Sequence, residues 1–261
     1  MSLRLCCGAA LVAVLLPTVA SANERHFTYS YESGVLPEGT KEIEVWNTYR
    51  TGRPTYFRQV DHRVEFEVGL TSRLQTAFYL NFSGVAEADG KGAISDRFAY
   101  KGISSEWKYR LTDPVADALG IALYGELAFA PDVWDVEAKL ILDKRIGRFL
   151  IASNLIVEPE FERGEDEAEI ELAATLGATY FLLPHLAIGA EGRIETKVTD
   201  ESASGVAAYA GPVVAWSSRD VWAALSFQRQ LPALRREPAG GTFLADGHER
   251  YQVRLLFSFH I

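Results

Sequence analysis

Beyond its first 22 residues this chain has no cysteine and no methionine, and its basic side chains are fewer than its acidic ones. Met1, Cys6 and Cys7 are its only sulfur-containing residues. Disulfides, thiol catalysis and cysteine metal centres are therefore excluded downstream of residue 22. The 26 basic and 35 acidic side chains give a net charge of −9. A chain this acidic lacks the positive field that attracts phosphates, so nucleic acid is excluded as an expected partner.

The first 22 residues have the pattern of a secretory signal peptide. Arg4 supplies a short positive region, residues 5–19 are apolar, and Ala20-Ser21-Ala22 is a small-x-small cleavage motif. We therefore expect residues 1–22 to be removed on export. The two cysteines precede the apolar stretch instead of following it, which argues against a lipoprotein anchor.

The rest of the chain also lacks an uninterrupted apolar stretch that would cross a membrane as a helix. Residues 172–190 are about long enough, but Leu183-Pro184-His185 interrupts them and the flanking residues alternate between apolar and polar. We interpret this region as two strands joined by a turn.

Alternation of apolar and polar side chains recurs along the whole chain after residue 40. In residues 251–261, for example, the apolar side chains occupy every second position, as on one face of a strand. No linker or helical pattern separates these segments, so we expect one all-β domain over residues 41–261. The expected strands are 41–51, 56–70, 74–84, 98–111, 119–130, 133–143, 149–161, 169–182, 186–198, 206–217, 221–231 and 248–261.

The connections between these segments alternate in length, with two exceptions. This asymmetry is typical of a transmembrane antiparallel up-and-down β-barrel of the bacterial outer membrane, with turns in the periplasm and longer loops outside. Twelve strands, an even number, place both ends of the barrel in the periplasm. The short connections are 71–73, 112–114, 144–148, 183–185 and 217–220; the longer ones are 85–97, 162–168, 199–205 and 232–247; the exceptions, short on the loop side, are 51–55 and 131–132.

Residues 23–40 precede the first expected strand and include an aromatic stretch at 26–32. A thirteenth strand here would place the new N-terminus outside the cell. We therefore interpret residues 23–40 as a periplasmic lead-in or as a plug at the barrel mouth.

The two faces of the expected strands differ in polarity. The apolar face is expected to meet lipid, because a closed barrel pairs all its backbone groups within the bilayer. Aromatic side chains near both ends of the strands are typical of membrane interfaces. The charged face then lines the lumen with fourteen acids and eight bases: Glu42, Glu44, Arg50, Asp61, Arg63, Glu65, Glu67, Glu106, Lys108, Arg110, Glu126, Asp135, Glu137, Lys139, Glu158, Glu160, Glu171, Glu191, Arg193, Glu195, Lys197 and Arg254.

Such a charged wall has two interpretations, and both stay open. It can be a cross-strand network of ion pairs that rigidifies the interior. It can also be a hydrated pathway whose acidic excess favours cations.

No pattern in the sequence indicates an enzyme. The five histidines lie at strand ends, in turns or on the apolar face, and neither G-x-S-x-G nor H-E-x-x-H occurs. We therefore expect no catalytic residue, no cofactor and no metal site.

The stretch LPEGTKEIEVWNTYR, residues 36–50, resembles the opening of an uncharacterised family of small, porin-like outer-membrane β-barrels of Gram-negative bacteria. The resemblance implies contact with outer-membrane lipid and lipopolysaccharide, and assembly by the barrel-assembly machinery. Members of such families usually end on an aromatic residue, commonly Phe, whereas this chain ends Phe259-His260-Ile261. The resemblance supplies no site residues.

The function we expect is that of a passive channel for small hydrophilic solutes with an acid-rich, mildly cation-favouring lumen. One alternative is a plugged structural or interaction barrel, whose loops 85–97 and 232–247 contact lipopolysaccharide, surfaces or a partner protein. Another is a soluble periplasmic β-sandwich or ligand-binding barrel.

Overall fold

A computed structural model describes residues 24–164, 168–199, 205–236, 241–244 and 248–261. Its strands form one closed antiparallel barrel, in which neighbours in sequence pair with each other and β1 pairs with β12. The predicted all-β barrel fold is confirmed, and the predicted signal peptide lies outside the described residues. The strands are β1 (Lys41–Thr51), β2 (Phe57–Gly69), β3 (Leu74–Ala88), β4 (Ile94–Thr112), β5 (Gly120–Phe129), β6 (Val133–Ile146), β7 (Phe149–Glu162), β8 (Glu169–Leu183), β9 (Leu186–Val198), β10 (Ala207–Ser217), β11 (Val221–Gln230) and β12 (Tyr251–His260).

The connection between β3 and β4 is much shorter than predicted. The long loop expected at 85–97 is wrong, because β3 continues to Ala88 and β4 begins at Ile94. The Asp89 carboxylate accepts hydrogen bonds from the backbone N–H groups of Lys91 and Ala93, each at 2.8 Å, which closes a tight turn. Residues 89–98, which form the tip of this hairpin and the start of β4, are exposed on both faces, so this part lacks the alternation on which the prediction depended.

A β-bulge interrupts the β3–β4 pair at its middle. Asn81 lies opposite Gly102 and Phe82 opposite Tyr100, which leaves Lys101 as the extra residue. Gly102 has a φ of 103°, and a Cβ there would lie 2.1 Å from a backbone oxygen of β5. Only glycine satisfies both conditions.

The outer face of the barrel is apolar along the middle of the strands. Leu123, Leu140 and Leu155 lie side by side across β5, β6 and β7. Leu123 and Leu155, at the two ends of this row, are 50% and 56% exposed. Such exposure is unusual for large apolar side chains facing water and ordinary for side chains facing lipid. No helix in the described part of the chain is long and apolar enough to cross a membrane.

Aromatic side chains pair on the outer face near both ends of the strands. Trp134 and Phe161 stack at the loop end, with ring centroids 4.1 Å apart, and Phe149 and Tyr180 meet edge to face at the turn end, 4.9 Å apart. Rings at these two levels match the interfaces of a membrane.

The turn-end half of the interior contains a packed apolar core beside buried polar side chains. Phe27 and Tyr31, which precede β1, lie at its centre and are 0% and 6% exposed. Around them pack inward side chains of the strands, among them Trp46, Trp222 and Leu256.

Candidate functional site: the barrel lumen

Residues 24–36, here called the N-terminal segment, enter the barrel at its turn end and return to it. Near the turns, the His26 ring meets Phe181 edge to face at 4.8 Å, and the Leu36 backbone N–H donates to Gln75 Oε1 at 2.9 Å. Between these ends the segment reaches deeper, where the Tyr29 hydroxyl donates to Gln252 at 2.8 Å. The segment therefore occupies the lumen as a loop.

One carboxylate of the barrel wall holds the deepest part of this loop. The backbone N–H groups of Thr28, Tyr29 and Ser30 all donate to Glu191, at 3.0, 2.9 and 3.2 Å. The Thr28 hydroxyl donates to the same carboxylate at 2.6 Å. Consecutive N–H groups that converge on one anion form a nest, and hydrogen bonds to a charged acceptor are the strong ones.

Two further wall positions fit the segment closely. Asn154 pairs with the backbone of Tyr31, because its Oδ1 accepts from the Tyr31 N–H at 2.6 Å and its Nδ2 donates to the Tyr31 carbonyl at 3.0 Å. Gly177 lies beneath Phe27, and a Cβ there would come within 2.5 Å of the ring. The wall is thus shaped to this loop.

Basic side chains make cation–π contacts with Tyr29 and Tyr31, the two aromatic residues at the tip of the loop. Arg254 and Arg193 lie 3.7 and 4.3 Å from the Tyr29 ring centroid. Arg25 and Lys139 lie 4.0 and 4.1 Å from that of Tyr31. Desolvated cation–π contacts of this kind contribute about 2 kcal/mol each, so these contacts hold the tip of the loop tightly in the lumen.

The charged residues predicted to line the lumen lie in two environments on the inward faces of their strands. The first group is buried: Glu42, Glu44, Glu65, Glu67, Glu106, Lys108, Glu126, Lys139 and Glu191. The second group is partly exposed: Arg50, Asp61, Arg63, Arg110, Asp135, Glu137, Glu158, Glu160, Glu171, Arg193, Glu195, Lys197 and Arg254.

Most basic side chains of the lumen pair with a nearby acid. These pairs cancel charge locally and link neighbouring strands, positions two residues apart on one strand or, for Arg63 and Glu126, β2 with β5. The pairs are Arg50 with Asp61 at 2.9 Å, Arg63 with Glu126 at 3.3 Å, Lys139 with Glu137 at 2.7 Å, Arg193 with Glu195 at 2.8 Å, and Lys197 with Glu169.

Four partly exposed acids on β6, β7 and β8 form what we call the outer acidic wall: Asp135, Glu158, Glu160 and Glu171. None of them has an ion pair within 4.0 Å in the described part of the chain. Asp135 lies opposite Glu160, and Glu158 lies opposite Glu171. Like charges directly opposite each other destabilise a strand pair, so water, mobile cations or more distant bases such as Lys197 would stabilise this wall by screening it.

The connection between β11 and β12 folds back towards the loop-end mouth. Leu244 is 4% exposed and packs on Tyr209, and its carbonyl accepts from Gln230 Nε2 at 2.9 Å. His248 Nδ1 lies 3.2 Å from Glu195 Oε1 on the lumen wall. Of the longer loop predicted at 232–247, residues 237–240 and 245–247 lie outside the described residues.

A cavity of about 740 Å³ opens at the turn end of the barrel. Its lining includes Glu24, His26, Glu32 and Arg145. The N-terminal segment therefore lies between this cavity and the outer acidic wall.

The chain belongs to the family of unknown function DUF6662. The sequence model of this family matches residues 19–260, so the resemblance inferred from the sequence is confirmed. No curated protein matches the chain.

Several solved structures share this DUF6662 fold. The COG4313 outer membrane channel from Pseudomonas putida F1 is 14% identical, with 90% of this chain and 99% of that chain covered and a TM-score of 0.64. The NanC porin is 10% identical, covering 84% and 100%, with a TM-score of 0.57. The KdgM porin is 10% identical, covering 84% and 98%, with a TM-score of 0.52. The DUF6662 chain thus has the fold of outer-membrane channel barrels.

Sequence reasoning missed lumen residues of this DUF6662 barrel that carry no charge. Trp46 and Tyr124 face inward, and each donates a hydrogen bond to the glutamate two residues away on its own strand, Glu44 at 2.7 Å and Glu126 at 2.5 Å. The sequence did contain a signal for this orientation, because a residue two positions from a lumen glutamate on the same strand shares its face. Glu169, the partner of Lys197, was missed in the same way, although it shares a face with Glu171.

The docking of the N-terminal segment is expected to weaken as the pH rises. Burial, the largest single effect, lowers the pKa of His26, but the Glu32 carboxylate, 3.0 Å from His26 Nδ1, raises it through both its charge and a hydrogen bond. Glu24 raises the pKa further and Arg145 opposes it, with a net shift upward. Because the docked state has the higher pKa, the stabilisation is present below the ordinary value of about 6.5 and is lost as pH rises through the raised value.

Limited proteolysis from the turn side measures this effect. Cleavage within residues 24–36 should be faster at alkaline than at acidic pH, after correction for the protease's own pH profile. His26→Gln should remove the difference, and a difference that persists in this variant would contradict the assignment.

Proposed function

We propose that this protein is a passive outer-membrane channel for small hydrophilic solutes, with a mild preference for cations. The outer acidic wall is the observation that carries the proposal. Directly opposed carboxylates destabilise a strand pair, and water and cations that reach these partly exposed groups would screen them. A hydrated lumen is also what diffusion of a hydrophilic solute requires.

The preference for cations is argued from which charges are left over. Within each ion pair of the lumen the two charges cancel. The carboxylates of the outer acidic wall have no paired base and therefore add negative charge to the lumen. Rings and patches of carboxylate in a pore attract cations and exclude anions. Arg254 is the main opposing charge, since it contacts Thr48 and Tyr29 instead of an acid.

The N-terminal segment sets the conductance in this proposal. It lies between the outer acidic wall and the turn-end cavity, so a solute can pass only beside the segment or after the segment has moved. We therefore expect small conductance steps from the full chain.

A plugged structural or interaction barrel is the second candidate. The close fit of the segment to Glu191, Asn154 and Gly177 favours it, because each contact holds the lumen closed. In that case the hairpin at the β3–β4 connection and the β11–β12 connection would contact lipopolysaccharide or a partner protein.

Export and assembly form part of the proposal. Residues 1–22 would direct export, and the barrel-assembly machinery would insert the chain. The regular alternation of β12, from Tyr251 to His260, supports recognition of the terminal strand.

Recording from planar bilayers in a KCl gradient tests the channel. The full chain should give conductance steps with a reversal potential displaced towards that of K⁺. The double variant Glu158→Lys and Glu171→Lys, which inverts two charges of the outer acidic wall, should displace it towards Cl⁻.

Glu87→Lys, on the hairpin beyond the membrane, is the matched control and should behave as the wild type. An absence of steps from well-folded protein would reject the channel and favour the plugged barrel.

A further inference from the structure

Four glutamates of β1 and β2 meet inside the barrel close to its turn end. Glu42 lies opposite Glu67, and Glu44 lies opposite Glu65. Each is at most 4% exposed. Unlike the outer acidic wall, this group is shielded from bulk water.

Several of these carboxylate oxygens have nothing to bind. Neither oxygen of Glu65 has a hydrogen-bond partner among the described residues, and the same holds for Glu44 Oε1 and Glu67 Oε2. Within that part of the chain, no basic side chain lies within 4.0 Å of these three carboxylates. Leaving a buried carboxylate unpaired is costly, so these oxygens call for a cation.

We propose that Glu44, Glu65 and Glu67 hold a divalent metal ion. One oxygen of each lies within 4.8 Å of those of the other two. Oxygens that surround one Ca²⁺ at about 2.3–2.6 Å have separations up to this size. The site is new relative to the sequence, which indicated no metal ligands.

The charge around the site leaves room for a divalent ion. Arg25 interacts electrostatically with Glu44 and Glu65, and Lys108 does so with Glu42 and Glu106. Two cations thus face five buried carboxylates, the four glutamates of β1 and β2 and Glu106. A divalent ion would neutralise most of the negative charge that remains.

The ligand chemistry selects Ca²⁺. All the candidate ligands are carboxylate oxygens, which favour hard cations over metals that prefer nitrogen or sulfur. Mg²⁺ usually keeps several of its waters, whereas Ca²⁺ accepts irregular sets of carboxylates. In a site this buried, carboxylates replace water more readily around Ca²⁺.

The ion would stabilise the place where the barrel closes. It joins β1 to β2, and the neighbouring Glu42 accepts hydrogen bonds from Trp222 on β11 and Ser258 on β12. Arg25 brings the N-terminal segment to the same cluster. The ion would therefore stabilise the barrel, and this role does not depend on whether solutes pass through the lumen.

Metal analysis of the purified full chain tests the proposal. After dialysis against EDTA, folded protein in detergent is titrated with CaCl₂ or MgCl₂, and bound metal is counted by mass spectrometry. We expect about one Ca²⁺ per chain, with a Kd of about 10⁻³ M or tighter, and weaker binding of Mg²⁺. Glu65→Gln should lose the ion, and Glu87→Gln, the same change beyond the membrane, should keep it.

Two results would overturn the site. One is folded wild-type protein that binds no Ca²⁺ at millimolar concentration, which would leave shared protons to neutralise the cluster. The other is a folded Glu65→Gln variant that binds Ca²⁺ as the wild type does, which would place the ion elsewhere, such as at the outer acidic wall. If Glu65→Gln does not fold, the wild-type titration alone decides.

Discussion

Replacing Leu140 with arginine is expected to prevent stable insertion of the barrel. Leu140 lies between Leu123 and Leu155 in the outward row that crosses the middle of β5, β6 and β7. An arginine facing lipid near the bilayer midplane costs about 2–4 kcal/mol. That is a large share of the free energy of unfolding of a typical domain. Membrane fractionation, and urea unfolding of protein folded into vesicles, measure the loss.

The control is the same substitution on the other face. Gln59→Arg places the new charge in the lumen, where Gln59 already donates to Asp61 at 2.6 Å, and it should be tolerated. Leu140→Arg protein that inserts and unfolds like the wild type would mean that this face does not meet lipid, and would favour the soluble barrel instead.

The strands could be predicted because lipid and lumen impose a strict period of two. Within the membrane each side chain has only two environments, so β9 was placed at 186–198 from polarity alone, and the structure has Leu186–Val198. Beyond the membrane both faces meet water, and the rule no longer applies. The β3–β4 hairpin, from Val85 to Arg97, was for that reason mistaken for a loop.

The depth and the contacts of the N-terminal segment could not be derived from the sequence, which indicated only a periplasmic lead-in or a plug at the barrel mouth. Its binding depends on contacts such as Thr28 with Glu191, which are 163 residues apart and follow no period. Glu191 was recognised as a lumen residue, but nothing in its neighbourhood distinguishes a carboxylate that binds backbone N–H groups from one that meets water.

The same limit applies to the two groups of acids. Glu65 and Glu158 both look like alternating strand glutamates in the sequence. Only the closed barrel shows that Glu65 is 1% exposed, whereas Glu158 is partly exposed. The first is therefore a candidate metal ligand and the second a candidate determinant of ion selectivity.

Replacing Glu191 with glutamine is expected to release the N-terminal segment and raise the conductance of the proposed channel. Glutamine keeps the size of the side chain but loses the charge, and its amide NH₂ would face backbone N–H groups that need an acceptor. Hydrogen bonds to charged groups contribute about 1.5–3 kcal/mol each. Losing the equivalent of one such bond shifts the equilibrium between docked and released segment about tenfold or more.

Single-channel recording and proteolysis read this shift independently. The open fraction or step size should rise in Glu191→Gln, and cleavage within residues 24–36 should become faster. Glu160→Gln is the matched control, because Glu160 lies in the outer acidic wall and takes no part in the nest, so its segment should stay docked. Faster cleavage of Glu191→Gln without any conductance would mean that the segment leaves but no pathway opens. That combination would reject the channel and favour the plugged barrel, whereas unchanged cleavage would show that Arg193, Arg254 and Asn154 hold the segment without the nest.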